Sequence, residues 1–256
     1  MSPRTATHRA PRVKMSAVDA LALACADEDQ RAAIVEAYLD LPIKRRGLDR
    51  RRGYAADAID ESQGKILTRA GVYARFGAGP RDRGVGVILT GPNDPGDELE
   101  MIRAIDWPLD RVVGVDFDSS TVRGLVIAAE AGVCAYSEDV VNVLHGLSEV
   151  AWFNGDFMGL SRQALHAVEV AAPRLVPGGS IALTFPRGRE HEHGNEAPGI
   201  AMRVGRGEDR RLDGIDRLVR AAARRGGAML HLEWSTSYKR ARGIGMSMGV
   251  AVWRRA

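Results

Sequence analysis

The sequence predicts an α/β protein with a doubly wound, mostly parallel sheet, an antiparallel last strand and a helical extension ahead of it. Three observations predict it. Short apolar runs alternate with helical periodicity between residues 86 and 185, and parallel neighbours need a crossover that a helix supplies. The last two strand-like runs, residues 228–234 and 246–253, have no helix between them, so they pair antiparallel. Aromatic residues make up only 5% of the 256 residues, so Val, Leu, Ile and Ala must fill the core between these layers.

Taken in order, residues 1–14 are basic and polar and read as a disordered tail; they lack the apolar core of a signal peptide. Residues 15–80 read as a helical extension. Val18, Leu21, Leu23, Ile34, Val35 and Leu39 recur at helical spacing over residues 16–41, Ser16 can cap, and Pro42 ends the pattern. A basic run follows, Lys44 to Arg46 and Arg50 to Arg52, and a second helix is expected over residues 54–73. The glycine-containing joint at residues 77–84 marks the main boundary, leaving 81–256 as the sheet-bearing domain.

Within that domain the first strand, residues 86–90, stops at Gly91 and Pro92, and a helix is expected over 99–105. The second strand, 111–115, ends in Asp116 and leads to a helix over 121–131. The third, 133–136, ends in Glu138 and Asp139. The fourth, 150–153, ends in Asn154, Gly155 and Asp156. A helix over 161–175 closes with Val176-Pro177-Gly178-Gly179 before a fifth strand at 180–185. A last helix over 212–225 sets Leu212, Ile215, Leu218 and Val219 on one face.

Charge is unevenly spread. Residues 1–80 carry a net +4, residues 81–200 a net −9 and residues 201–256 a net +8. An acidic middle between basic flanks suggests a polyanionic partner such as nucleic acid, against the plainer reading of solvent-facing arginines. Tyr238 to Arg242, between the last two strands, extends the same basic surface. The two cysteines, Cys25 and Cys134, make neither a metal site nor a disulfide framework, and Cys134 reads as a small buried apolar residue. No apolar run approaches the ~20 residues of a membrane span, so a cytoplasmic protein with no membrane partner is expected.

Ligands on open parallel sheets bind beyond the C-terminal ends of the strands. A nucleoside cofactor needs a glycine turn that lets the first loop approach backbone-first, an acid after the second strand to accept ribose hydroxyls, and a polar group after the third to meet the adenine amine. Thr90, Gly91 and Pro92, then Asp116 with Phe117, then Glu138 and Asp139, then Asn154 occupy those places. Each strand-end acid has a competing role as a helix cap. Asp156 is the candidate for orienting an acceptor or removing its proton, against a cap for the helix near Ser161.

On these residues the chain resembles class I S-adenosylmethionine-dependent methyltransferases. Val87-Ile88-Leu89-Thr90-Gly91 resembles their first motif, Val115-Asp116 the acidic end of the second strand, and Phe153-Asn154-Gly155-Asp156 the fourth motif. Leu175 to Gly179 before a strand and the antiparallel ending also resemble them. The stretch Asp156-Phe157-Met158-Gly159 and residues 183–190 are similar to methyltransferases of phages and plasmids. The resemblance covers residues 84–254 and implies a Rossmann-like, seven-stranded sheet, S-adenosylmethionine as cofactor, and methyl transfer to an acceptor, nucleic acid among the candidates. Two features depart from the family. The loop from Gly91 to Glu98 has one glycine at the turn and another at the helix start, stiffened by Pro92 and Pro95. The fourth motif lacks the double proline of exocyclic-amine methylases, and no cysteine follows the fourth strand to attack a pyrimidine.

Arg187 and Arg189, after the fifth strand, are expected to grip a phosphate or carboxylate of the acceptor. His191 and His193 flank Glu192 without a third ligand, so no metal is expected. Two rival functions remain: a degenerate methyltransferase fold that binds nucleic acid without the cofactor, and a nicotinamide-dependent oxidoreductase. The latter lacks a Gly-x-Gly-x-x-Gly loop and does not suit the antiparallel tail.

Overall fold

The computed structural model describes residues 16, 21, 63–90, 95–117, 122–157, 162–186, 208–239 and 247–256. The basic run at 44–52, Gly91, Pro92, Arg187, Arg189 and the histidines at 191 and 193 lie outside the described residues, as does most of the helix expected over 16–41.

Seven strands form one sheet in the order β3-β2-β1-β4-β5-β7-β6. The chain runs through α1 (Gln63–Gly77), β1 (Val85–Leu89), α2 (Gly96–Ala104), β2 (Val112–Val115), α3 (Val122–Glu130) and β3 (Cys134–Tyr136). It continues through α4 (Val140–Gly146), β4 (Val150–Gly155), α5 (Arg162–Ala171), β5 (Leu175–Pro186), α6 (Glu208–Arg225), β6 (Leu230–Lys239) and β7 (Ser247–Arg255). Strands β1 to β5 pair parallel, whereas β7 pairs antiparallel with both β5 and β6. This is the Rossmann-like sheet with an antiparallel end that the two final runs imply. The antiparallel β7 sets it apart from an all-parallel nicotinamide-binding sheet.

The differences from the expected boundaries have local causes. The helix expected to reach residue 175 stops at Ala171, because Pro173 has no N–H to continue it and opens a 3-10 turn over Ala172–Arg174. Strand β5 therefore begins at Leu175, which pairs with Val150; the register then shifts, so that Ser180 pairs with Trp152. The Val-Pro-Gly-Gly stretch read as the close of the helix is an irregular part of the strand. Both tail strands run past their expected ends, β6 to Lys239 and β7 to Arg255, since each satisfies the other's backbone groups residue by residue. Helix α4 fills the crossover between β3 and β4, where the sequence reading set no helix bounds. Cys134 lies exposed on the edge strand β3, not buried as its apolar setting suggested.

The two faces of the sheet carry separate cores. One face packs α4, α5 and α6 through Leu144, Val168 and Val219 against Val87, Phe153 and Ile181. The other packs α1 and α2 through Ile66, Phe76 and Ile102 against Ile88, Trp152 and Val252; the helical Leu21 is buried here too. Trp152 organises this second core. Phe76 stacks on it at 4.9 Å, while Tyr73 and Trp107 meet it edge-on at 5.9 and 5.8 Å. Its indole lies where a Cβ on Gly86 would stand, so only glycine at that position of β1 admits it. Burying four rings together contributes several kcal/mol, since removing one large aromatic side chain from a core costs about 3–5 kcal/mol.

Helix α1 belongs to the segment read as an extension, and it packs directly on the sheet. Gly71 lets the Trp234 ring of β6 close on the helix; a Cβ there would stand 2.7 Å from Cη2. Arg75 lies 4.3 Å above the same ring. From β7, Arg254 donates to Glu233 at 2.7 and 2.9 Å, to Gly178 O at 2.7 Å and to Arg75 O at 3.2 Å, tying the helix end to three strands. Among the described residues no helix is long and apolar enough to cross a membrane.

Candidate functional site

The strand order reverses between β1 and β4, whose crossovers run to opposite faces, and a crevice forms at the C-terminal ends of such strands. The residues that end β1, β2 and β4 therefore share one edge.

On the β1–β2 side, Thr90 follows β1 with its backbone N–H donated to Val115 O at 3.1 Å. Its side chain is buried, and Oγ1 has no hydrogen-bond partner among the described residues. A buried hydroxyl without a partner costs about 1–3 kcal/mol unless a ligand or water satisfies it. Asp116 follows β2, half-buried, its N–H donated to Tyr136 O at 3.1 Å. Beside it the Phe117 ring is 73% exposed, the largest exposure of any large apolar side chain described. This side thus holds a buried hydroxyl, a half-buried carboxylate and a bare aromatic ring.

The acids after β3 divide. Glu138 is exposed. Asp139 is the N-cap of α4: Val141 N–H donates to Oδ1 at 2.8 Å, and Gln163 Nε2 donates to Oδ2 at 3.0 Å. Both carboxylate oxygens are engaged in holding α4 to α5, which is the capping role weighed for strand-end acids.

On the β4 side, the structure brings together groups that the sequence keeps far apart. Asn154, the last residue but one of β4, is 7% exposed, and its Nδ2 donates to Glu98 Oε1 at 2.6 Å. Tyr73 OH donates to the same oxygen at 2.5 Å and lies 3.4 Å from Asn154 Nδ2. Three elements, α1, α2 and β4, are thereby joined at one buried carboxylate oxygen. Burial, and then the Glu98 carboxyl with its hydrogen bond, push the Tyr73 phenol well above its ordinary value, so it stays a donor. The Asn154 amide expected to face a cofactor is turned into this network.

Asp156 stands just beyond β4 with its side chain a quarter exposed. Arg69 Nη2 donates to Oδ2 at 3.2 Å, and Lys65 Nζ lies 4.0 Å from the same oxygen. Burial pushes the Asp156 carboxyl up. The Arg69 and Lys65 charges, with hydrogen bonds from Thr184 and Arg69, outweigh that and hold it below its ordinary value. A carboxylate held ionised in this way is a weak base at neutral pH and a firm hydrogen-bond acceptor. It lines a narrow cleft of about 10 Å³, room for about one water, with Lys65, Thr68 and Arg69 of α1 and with Thr184 of β5.

Sequence reading found Thr90, Asp116, Asn154 and Asp156 at this edge but not Glu98, Tyr73, Arg69 or Lys65. A signal existed for three of them. Glu98, Met101 and Ile102 share one helical face, and a lone acid on a buried stripe needs a partner. Lys65, Thr68 and Arg69 recur at i, i+3 and i+4, a polar stripe on a helix that is otherwise packed.

No family model matches the chain, and no curated protein matches it in sequence. Solved structures do match. The N-methyltransferase NodS from Bradyrhizobium japonicum WM9 is 12% identical, aligned over 77% of this chain and 98% of its own, with a TM-score of 0.50. The same protein in complex with S-adenosyl-L-homocysteine aligns over 94% of this chain and 99% of its own, at 10% identity and a TM-score of 0.49. An rRNA methylase from Streptococcus thermophilus is 12% identical over 73% of this chain and 96% of its own, with a TM-score of 0.45. The match to NodS establishes the fold: this chain has the class I methyltransferase architecture.

Proposed function

We propose that the chain is an S-adenosylmethionine-dependent methyltransferase whose cofactor lies over the ends of β1 and β2 and whose acceptor comes to the same sheet edge on the Asp156 side. The observation that carries this reading is the contrast across the reversal point. A partnerless buried hydroxyl, Thr90, lies on the same side as an acid flanked by a bare ring, Asp116 and Phe117, whereas across the edge Asp156 is already held by Arg69 and Lys65. These groups fit the cofactor: Asp116 can accept ribose hydroxyls, Phe117 can stack on adenine, and Thr90 can take a hydrogen bond now missing. Glu138 is assigned to the adenine amine, whereas Asp139 is committed to α4. Gly91 and Pro92 belong to the loop that would follow the methionine part. When bound, the cofactor supplies an activated methyl group, and the protein's part is alignment. Asp156 orients the acceptor instead of deprotonating it, because its two cationic neighbours keep it a weak base. Arg187 and Arg189, which follow β5, are assigned to the same acceptor.

Calorimetry with S-adenosylmethionine and S-adenosylhomocysteine tests the reading. Micromolar binding, about −8 kcal/mol, is expected for both, and Asp116→Ala should weaken it about tenfold or more, the worth of hydrogen bonds to a charged group. Heat from neither ligand would turn the reading to a fold that kept its sheet and lost its cofactor, in line with the two prolines, Pro92 and Pro95, ahead of α2. The basic flanks would then be tested for salt-sensitive binding to RNA and DNA.

A further inference from the structure

The sheet has two edges, β3 and β6, and the fold treats them differently. The β6 edge is guarded. A register shift breaks its pairing between Leu232 and Trp234, the charged Glu233 stands exposed at that point, and α1 packs on the strand through Gly71 and Trp234. The β3 edge has no such device: Cys134, Ala135 and Tyr136 are all exposed, and none is charged or a proline. Tyr136 O accepts from Asp116 N–H at 3.1 Å, so Tyr136 and Cys134 turn their main-chain groups toward β2. Ala135, between them, turns its N–H and C=O outward, where an adjoining strand would pair. Side chains flank this edge on both faces. Cys134 and Tyr136 pair with Val113 and Val115, so they project on the face that α4 and α5 cover elsewhere. Ala135 pairs with Gly114, where a Cβ would stand 3.8 Å from Ala128 Cβ, so the middle of α3 lies level with Ala135 on the other face. Helix α3 exposes Arg123, Val126 and Glu130, and neither charge has an ion-pair partner among the described residues.

We propose that the β3 edge is an interface between two copies of this chain, related by a two-fold axis that passes beside Ala135 at right angles to the sheet. A two-fold contact must be self-complementary, and this edge is. The axis sets Ala135 opposite its own copy, each donating its N–H to the other's C=O, and sets Cys134 opposite the partner's Tyr136. It also lays α3 antiparallel to its copy. Arg123 and Glu130 fall on either side of the level of Ala135, so each Arg123 comes toward the partner's Glu130, with the two Val126 side chains between the charges. An unrelated strand could use the Ala135 main chain, but only a second copy supplies that reciprocal charge pattern.

The test is the mass of the full chain in solution, by sedimentation from about 1 µM to about 1 mM, since an interface this small is weak. A rise from one chain to two is expected. Arg123→Glu should weaken the association about tenfold or more, because it sets like charges face to face at two places. Adding Glu130→Arg should restore it. Both residues are exposed, so the swap spares the core, and the rescue separates pairing from a fault in folding. In a Cys25→Ser background, Tyr136→Cys sets a thiol opposite the partner's Cys134, within disulfide reach. Mild oxidation should then give a covalent dimer, and far less of it with Cys134 alone, whose copy lies two positions off along the ladder. One chain mass throughout the range overturns the proposal; slow exchange of the Ala135 amide in such a monomer would show that the chain's own residues cover the edge. A dimer that Arg123→Glu leaves unchanged and Tyr136→Cys fails to link also overturns it, because its contact lies elsewhere.

Discussion

At the ends of β1 and β2, side chains stand ready for something outside the protein: Thr90 Oγ1 lacks a partner among the described residues, and the Phe117 ring faces solvent. At the ends of β4 and β5, a few residues away across the same edge, polar groups are tied to one another. Asn154, Tyr73 and Glu98 close a buried network, and Asp156 is bound to α1. The difference separates what a ligand completes from what the fold completes. Substitutions on the first side should change binding and leave stability alone, whereas substitutions on the second should do the reverse unless the cleft itself is used.

The largest effect is expected at Glu98. Glu98→Ala removes the acceptor of two buried donors, Tyr73 OH and Asn154 Nδ2, each costing about 1–3 kcal/mol when left unpaired. A loss of about 2–4 kcal/mol in urea unfolding is therefore predicted, with most of it recovered in Glu98→Gln, whose amide oxygen still accepts. If the alanine variant unfolded at the wild-type urea concentration, the network would be incidental and the two halves alike.

Asp156 comes next and is set apart by its dependence on pH. Its folded carboxyl lies below the ordinary value, so it stabilises the native state above about pH 4, and that contribution fades as pH falls through the folded value. Asp156→Asn should cost about 1 kcal/mol at pH 7, the scale of a partly exposed ion pair, and the gap should close in acid. A gap that stayed constant from pH 7 to pH 3 would mean that the Arg69 and Lys65 contacts are not what holds this residue.

How far the sequence could show this edge follows the same division. Apolar runs mark β1, β2, β4 and β5 because a parallel strand buried on both faces must be apolar throughout, whereas β6 and β7 were legible from the missing crossover helix between them. Thr90, Asp116 and Asp156 were legible because a residue next to a strand end has few places to go. The partners of Asn154 and Asp156 were not, since Glu98 lies 56 residues from Asn154 and Arg69 lies 87 from Asp156, and local periodicity carries no information on that pairing. The Ala171 end of α5 was misread because Leu175 is apolar and fits a helical stripe, while Pro173 decides otherwise.

The smallest effect on stability is expected where the effect on binding should be plain. Phe117 is 73% exposed, so Phe117→Ala gives up little buried area and should shift unfolding by no more than about 0.5 kcal/mol. If the ring stacks on adenine, its removal should weaken S-adenosylhomocysteine binding roughly three- to tenfold, the worth of one aromatic contact. Adenosine alone should lose the same factor, because the contact is to the base. A variant that bound both as wild type does would leave the bare ring without a role in the cofactor site. A variant that lost stability along with affinity would show that Phe117 serves the fold as the β4 side does, and the division drawn along the sheet edge would fail at its clearest point.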